Sequence, residues 1–133
     1  MTALTKDRNT PYRTGEDVSD PVAAATKIYA GSLVVLDASG NAAPGSTATG
    51  LKARGRAEEN IDNSSGVAGD VSVAVRRGTY KFANDGSINR THIDATVYIV
   101  DDQTLAATDG TGTRSAAGKL IDVEADGVWV EIK

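Results

Sequence analysis

A strand-turn-strand pattern that occurs twice constrains this chain more than any other feature. Ser32-Leu33-Val34-Val35-Leu36-Asp37-Ala38-Ser39-Gly40-Asn41-Ala42-Ala43 returns 64 positions later as Thr96-Val97-Tyr98-Ile99-Val100-Asp101-Asp102-Gln103-Thr104-Leu105-Ala106-Ala107. Each copy has four residues of strand, an Asp, a short polar turn and an Ala-Ala pair. A looser echo follows in Ala53-Arg54-Gly55-Arg56 and Ala116-Ala117-Gly118-Lys119. An internal duplication and the ordinary likeness of two hairpins in an all-β chain explain this equally well. Either way the unit is a strand entering a turn, and it contains no catalytic group.

The other apolar segments are also strand-length and bounded by Gly, Asn, Asp or Pro. Thr26 to Tyr29, Leu33 to Leu36 and Leu51 to Glu58 read as strands. Val71-Ser72-Val73-Ala74-Val75 alternates at period two, the signature of a strand with one face buried. After Gly78 the apolar positions change from odd to even, at Tyr80 and Phe82, which predicts a bulge at that glycine. Ser87 to His92 is short enough for one helical turn. The final segment predicts a hairpin with Asp126-Gly127 as its turn. In that register Ala125 faces Val128, Val123 faces Val130 and Ile121 faces Ile132, with Glu124 opposite Trp129 and Asp122 opposite Glu131. The only tryptophan then lies on the outer face as a contact residue. With no long stretch of helical period, the expected fold is all-β: a small antiparallel barrel or sandwich of about eight short strands.

Residues 1–22 differ from the rest. Leu4, Val18 and the ring of Tyr12 stand apart among charges, with Pro11 and Pro21 as breakers. Such a segment buries too little apolar surface to offset its ordering entropy and is expected to be an extended N-terminal arm. Residues 23–133 then form a single β-barrel domain, a size that buries about two thirds of the unfolded surface. Pro11, Tyr12 and Arg13 are the arm's candidate partner-binding residues, because a stiff residue, an amphipathic ring and a planar cation contribute contact area at low entropic cost. Trp129 is the candidate on the barrel.

The chemistry carried by the remaining residues is sparse. There is no cysteine, which excludes disulfides and thiolate metal sites. His92 is the only histidine, and Asp94, two residues on, is the only acid placed to orient it in a catalytic pair. Asp101, Asp102 and Asp109-Gly110 lack the alternating ligands and terminal Glu of a calcium loop. Glu58, Glu59, Glu124 and Glu131 are carboxylates without an aromatic platform announced beside them. Gly66 to Gly69 has neither the lysine nor the helix of a phosphate loop. The expected protein is therefore not an enzyme, with no catalytic, cofactor or metal residues.

Lys52, Arg54 and Arg56 alternate on one strand, where they would meet an acidic neighbour. Residues 91–133 hold eight carboxylates against Arg114, Lys119 and Lys133, out of a chain net charge of −4. That acidic end disfavours a nucleic-acid partner, which needs a continuous basic surface. No segment reads as a secretion signal or a bilayer span, so a soluble protein without a membrane partner is expected.

The run Gly69-Asp70-Val71-Ser72-Val73-Ala74-Val75-Arg76-Arg77-Gly78-Thr79-Tyr80-Lys81-Phe82, then Asp94-Ala95-Thr96-Val97-Tyr98-Ile99, then Gly118-Lys119-Leu120-Ile121 and a closing Asp-Gly hairpin resembles the capsid decoration, or cement, proteins of tailed bacteriophages. The resemblance covers about residues 23–133, with Ile93-Asp94-Ala95 where the family pattern has a glycine. It implies a compact β-domain on the outer capsid surface of a virion, bridging subunits of the major capsid protein. It also implies a homo-oligomer, a trimer or alternatively a dimer. A carbohydrate- or host-surface-binding β-module displayed on a virion is the other function that such a chain would serve.

Overall fold

The uninterrupted run Leu33–Leu36 is a strand covered on both faces. In the computed structural model, which describes residues 2–11 and 13–133, Leu33 and Val35 pack into one hydrophobic core, Val34 and Leu36 into another. Strands β1 (Asp17–Pro21), β2 (Thr26–Ile28), β3 (Leu33–Leu36), β4 (Ala42–Pro44), β5 (Lys52–Ala57), β6 (Ile61–Asn63) and β7 (Ser72–Arg76) build the first half. Strands β8 (Gly78–Asn84), β9 (Thr96–Ile99), β10 (Thr104–Ala106), β11 (Ala116–Glu124) and β12 (Gly127–Ile132) build the second. The first half is a five-stranded sheet in the order β1-β7-β5-β3-β4, and the β2-β6 ribbon adds Ile28 and Ile61 to its core. The second half is a closed five-stranded barrel in the order β8-β12-β11-β9-β10. Fully buried Leu, Ile and Val side chains in these cores stabilise the fold by about 1.5–3 kcal/mol each.

The two halves repeat one another. Their strand orders match position for position, and so do their registers. Leu33 opposes Arg56, Val34 opposes Gly55 and Val35 opposes Ala53, with a bulge at Arg54. Thr96 opposes Lys119, Val97 opposes Gly118 and Tyr98 opposes Ala116, with a bulge at Ala117. The hairpins agree as well, Val35 facing Ala43 and Leu36 facing Ala42 as Tyr98 faces Ala106 and Ile99 faces Leu105. Each pairing recurs 63 positions further on, one fewer than the spacing of the similar sequences. The inward residues correspond: Val34 with Val97, Leu36 with Ile99, Ala42 with Leu105, Ala57 with Leu120, Val73 with Val128 and Val75 with Val130.

One proline distinguishes the two halves. The second barrel is closed by parallel pairing of β8 with β10, in which the Ala83 and Asp85 amides donate to the Gln103 and Leu105 carbonyls at 2.8 and 3.0 Å. In the first half Ala23 N–H donates to Ala42 at 3.0 Å, the counterpart of the second bond. The counterpart of Ala83 is Pro21, which has no N–H to give. Closure there is a single parallel bridge between Val22 and Ala42.

The all-β barrel expectation holds, with twelve strands in place of eight. The four additional strands are β1, β4, β6 and β10; β4, β6 and β10 are three residues each, too short to show a period. The arm expected over residues 1–22 is shorter, because Asp17–Pro21 is an edge strand paired with β7 and Val18 and Val22 are buried. Its alternation is hidden because the middle inward position is Asp20, 7% exposed.

At Gly78 the parity of the buried side chains does change, and the cause is a corner. β7 belongs to the first sheet, β8 to the barrel, and the chain turns between them at Arg77. The helical turn is a 3-10 turn, Arg90–His92, capped by Asn89. The final hairpin turns at Ala125-Asp126 rather than Asp126-Gly127. Glu124 pairs with Gly127 and Asp122 with Trp129, and a bulge at Ile121 brings Lys119 opposite Glu131. The like-charged pair of the expected register, Asp122 opposite Glu131, is thereby avoided, and Ile121 is left outside.

Candidate interaction surface

Every described residue from 2 to 14 is exposed, Pro11 and Arg13 included; Tyr12 lies outside the described residues. Among the described residues the Arg8 guanidinium donates to the Thr10 hydroxyl at 2.6 Å and the Thr10 N–H donates to the Arg8 carbonyl at 3.0 Å, both within this stretch. Lys6, Arg8 and Arg13 against Asp7 make it basic, in contrast to the acidic end of the chain. The arm is rooted where Arg77 N–H donates to the Glu16 carbonyl at 2.8 Å. A cavity of about 280 Å³ lies at this root, lined by Thr14, Gly15, Glu16, Arg77, Gly78, Glu131, Ile132 and Lys133. The arm thus leaves the body beside the last residues of β12, the strand that carries Trp129.

Trp129 is half-buried, with Lys81 and Asp122 beside it on the neighbouring strands. Its indole N–H donates to Glu124. Lys81 bonds Asp126 at 2.5 Å and reaches Glu124 at 4.0 Å. The bond between them holds the Lys81 ammonium above its ordinary value and the Asp126 carboxyl below the usual carboxylate range. The structure therefore places the indole in a charged frame on the outer wall of the barrel. Tryptophan emission on this wall is expected to shift when the wall is covered, which a comparison of free and assembled protein measures.

The expected basic row is split by the bulge at Arg54. Arg54 forms a bidentate pair with Asp20, at 2.8 and 3.1 Å, and that bond holds the guanidinium above its ordinary value. Arg56 instead pairs with Glu58 at 2.8 Å and lies 4.5 Å from the centroid of the Tyr80 ring. The Tyr80 hydroxyl donates to the Arg76 carbonyl at 3.0 Å, and burial pushes its pKa up. Glu16 and Asp17 face Arg76 across the edge strand at 3.8 and 3.7 Å.

His92 and Asp94 go to different partners. His92 Nδ1 accepts the Asn89 N–H at 3.0 Å as part of the cap, and Asp94 pairs with Lys119 at 3.6 Å. Asp101 Oδ1 accepts the Gln103 N–H at 2.9 Å, as Asp37 Oδ1 accepts those of Ser39 and Asn41 in the other hairpin. Among the described residues no group of three or more His, Asp or Glu is placed to hold a metal ion, and no helix is long and apolar enough to cross a membrane.

Sequence reasoning missed two features. The Asp20-Arg54 pair had a signal, an acid two residues from Val18 and two from Val22. Tyr29, just past β2 and 56% exposed, had none, since nothing local sets which side of so short a strand is covered. Compared with family models, with curated proteins and with solved structures, the chain matches none.

Proposed function

We propose that this protein is a virion structural protein that decorates the outer surface of a tailed-bacteriophage capsid and bridges subunits of the major capsid protein. The observation that carries the reading is the basic arm, whose described residues from 2 to 14 are all exposed and which is rooted on the β-body at Arg77. An exposed segment outside any sheet gains its order from a partner, and wraps a large surface for its length. The barrel of the second half supplies a wall beside the arm's root, with Trp129 and the Lys81-Glu124-Asp126 frame as its contact face. The resemblance of residues 23–133 to cement proteins supports the same reading. On it the protein is a homo-oligomer, a trimer with a dimer as the alternative, located on the virion's outer surface.

The test is truncation before the first strand. A chain lacking residues 1–14 keeps β1 whole and is expected to fold with native stability while its occupancy on purified capsid shells falls by at least about 100-fold, the loss of about 2.7 kcal/mol of contact energy. Shells decorated to the same level by the truncated chain would end the proposal. Trp129→Phe is expected to weaken occupancy by about 10-fold, as for an aromatic contact residue. Unchanged tryptophan emission between free protein and decorated shells would remove Trp129 from the interface.

A further inference from the structure

We infer that the junction of the two halves holds a binding site for a neutral saccharide. The segment Tyr29-Ala30-Gly31-Ser32 entering β3 and the turn Asp102-Gln103 entering β10 line an open cleft of about 420 Å³. Its walls are fixed, because Leu33 N–H donates to the Asp102 carbonyl at 2.8 Å and Gly31 N–H to that of Ala57 at 2.9 Å. That volume lies within the range of small-molecule sites.

Three features of the lining define the ligand. Ser32 is 7% exposed, and its Oγ is buried without a hydrogen-bond partner. A buried hydroxyl left unpaired is costly and is satisfied when a ligand group or an ordered water reaches it. Tyr29 presents a ring that is 56% exposed, one of the few large hydrophobic side chains on the surface. Asp102 and Gln103 add a carboxylate that only accepts hydrogen bonds and an amide that both donates and accepts.

A molecule that satisfies all three has an apolar face for the ring and several hydroxyls for the carboxylate, amide and serine, which is the chemistry of a pyranose. Charge excludes the alternatives. Asp102 disfavours an anion, and the Lys27 ammonium, 5.0 Å from the centroid of the Tyr29 ring, repels a cationic ligand there. The site does not depend on the capsid reading, since neither the arm nor Trp129 belongs to it.

The experiment is a titration of the isotopically labelled full chain with glucose, galactose, mannose and N-acetylglucosamine, followed by amide NMR. A ligand-loaded site gives saturable shifts at Tyr29, Ser32 and Gln103 with at least one sugar, at Kd values of the order of millimolar. Tyr29→Ala, an exposed position, raises that Kd at least about 10-fold, and Gln103→Ala does likewise. No saturable shift with any of the four sugars up to about 50 mM, or shifts that persist in Tyr29→Ala, overturns the inference.

Discussion

Alanine at Gly118 is expected to destabilise the protein by more than about 3 kcal/mol, and alanine at Gly55 by at least as much. The two glycines occupy the same place in the two halves, Gly55 following the bulge of β5 and Gly118 that of β11. A Cβ at Gly118 would fall inside the van der Waals envelope of the Glu131 carbonyl oxygen and 3.1 Å from Val130 Cγ2. At Gly55 it would meet the Arg76 carbonyl oxygen in the same way and Val75 Cγ1 at the same 3.1 Å. In both, the obstructing atoms are backbone of the adjacent strand, which cannot rotate aside, and Gly55 also sits at φ 148°, where an L side chain is strained.

Gly112 is the control, with φ 80° and open space around its Cα; alanine there carries only the left-handed penalty of about 1–2 kcal/mol. Urea unfolding of the three variants gives the comparison. Equal losses for Gly118→Ala and Gly112→Ala would mean that the bulged strands do not approach their neighbours as described.

That shared geometry explains how much of the fold could be read from the chain. The similar sequences lie 64 apart, while the equivalent residues lie 63 apart. A one-residue slip ordinarily exchanges the two faces of a strand. Here it passed unnoticed because β3 is buried on both faces, so Leu33-Val34-Val35-Leu36 carries no alternation to set its phase. Val73 and Val75, with one face buried, were read correctly for the opposite reason.

The last hairpin was misplaced by its turn. Asp126-Gly127 is a strong local turn signal, yet Gly127 is needed inside β12, where a Cβ would lie 2.8 Å from the Phe82 carbonyl oxygen. Glycine as a turn former and glycine as a gap for a neighbouring backbone look identical in sequence. The same limit governs the candidate surfaces. Pro11 and Arg13 are exposed, as an arm without apolar partners requires, whereas the junction around Tyr29 joins residues more than seventy positions apart and has no sequence signature.

The second large effect concerns the ion pair inside the first half. Asp20 faces Val73 as Phe82 faces Val128, and Arg54 is the bulge residue as Ala117 is. A polar pair in one half thus stands where an apolar pair stands in the other, the exchange for which the energetics of buried charges gives a definite sign. Arg54→Ala leaves the Asp20 carboxylate, 7% exposed, without its partner and is expected to cost about 2–4 kcal/mol. The upper figure is reduced from that of a fully buried pair because the Arg54 side chain keeps 22% of its surface in solvent.

Asp20→Phe alone buries a ring against an unpaired guanidinium and is expected to cost a similar amount. The double variant Asp20→Phe/Arg54→Ala installs the second half's pair and is expected to return to within about 1 kcal/mol of the native protein, giving a coupling of several kcal/mol in a double-mutant cycle. Denaturant midpoints of the four proteins measure it. Additive losses in the double variant would show that the halves share strand order and register without sharing an interchangeable interior.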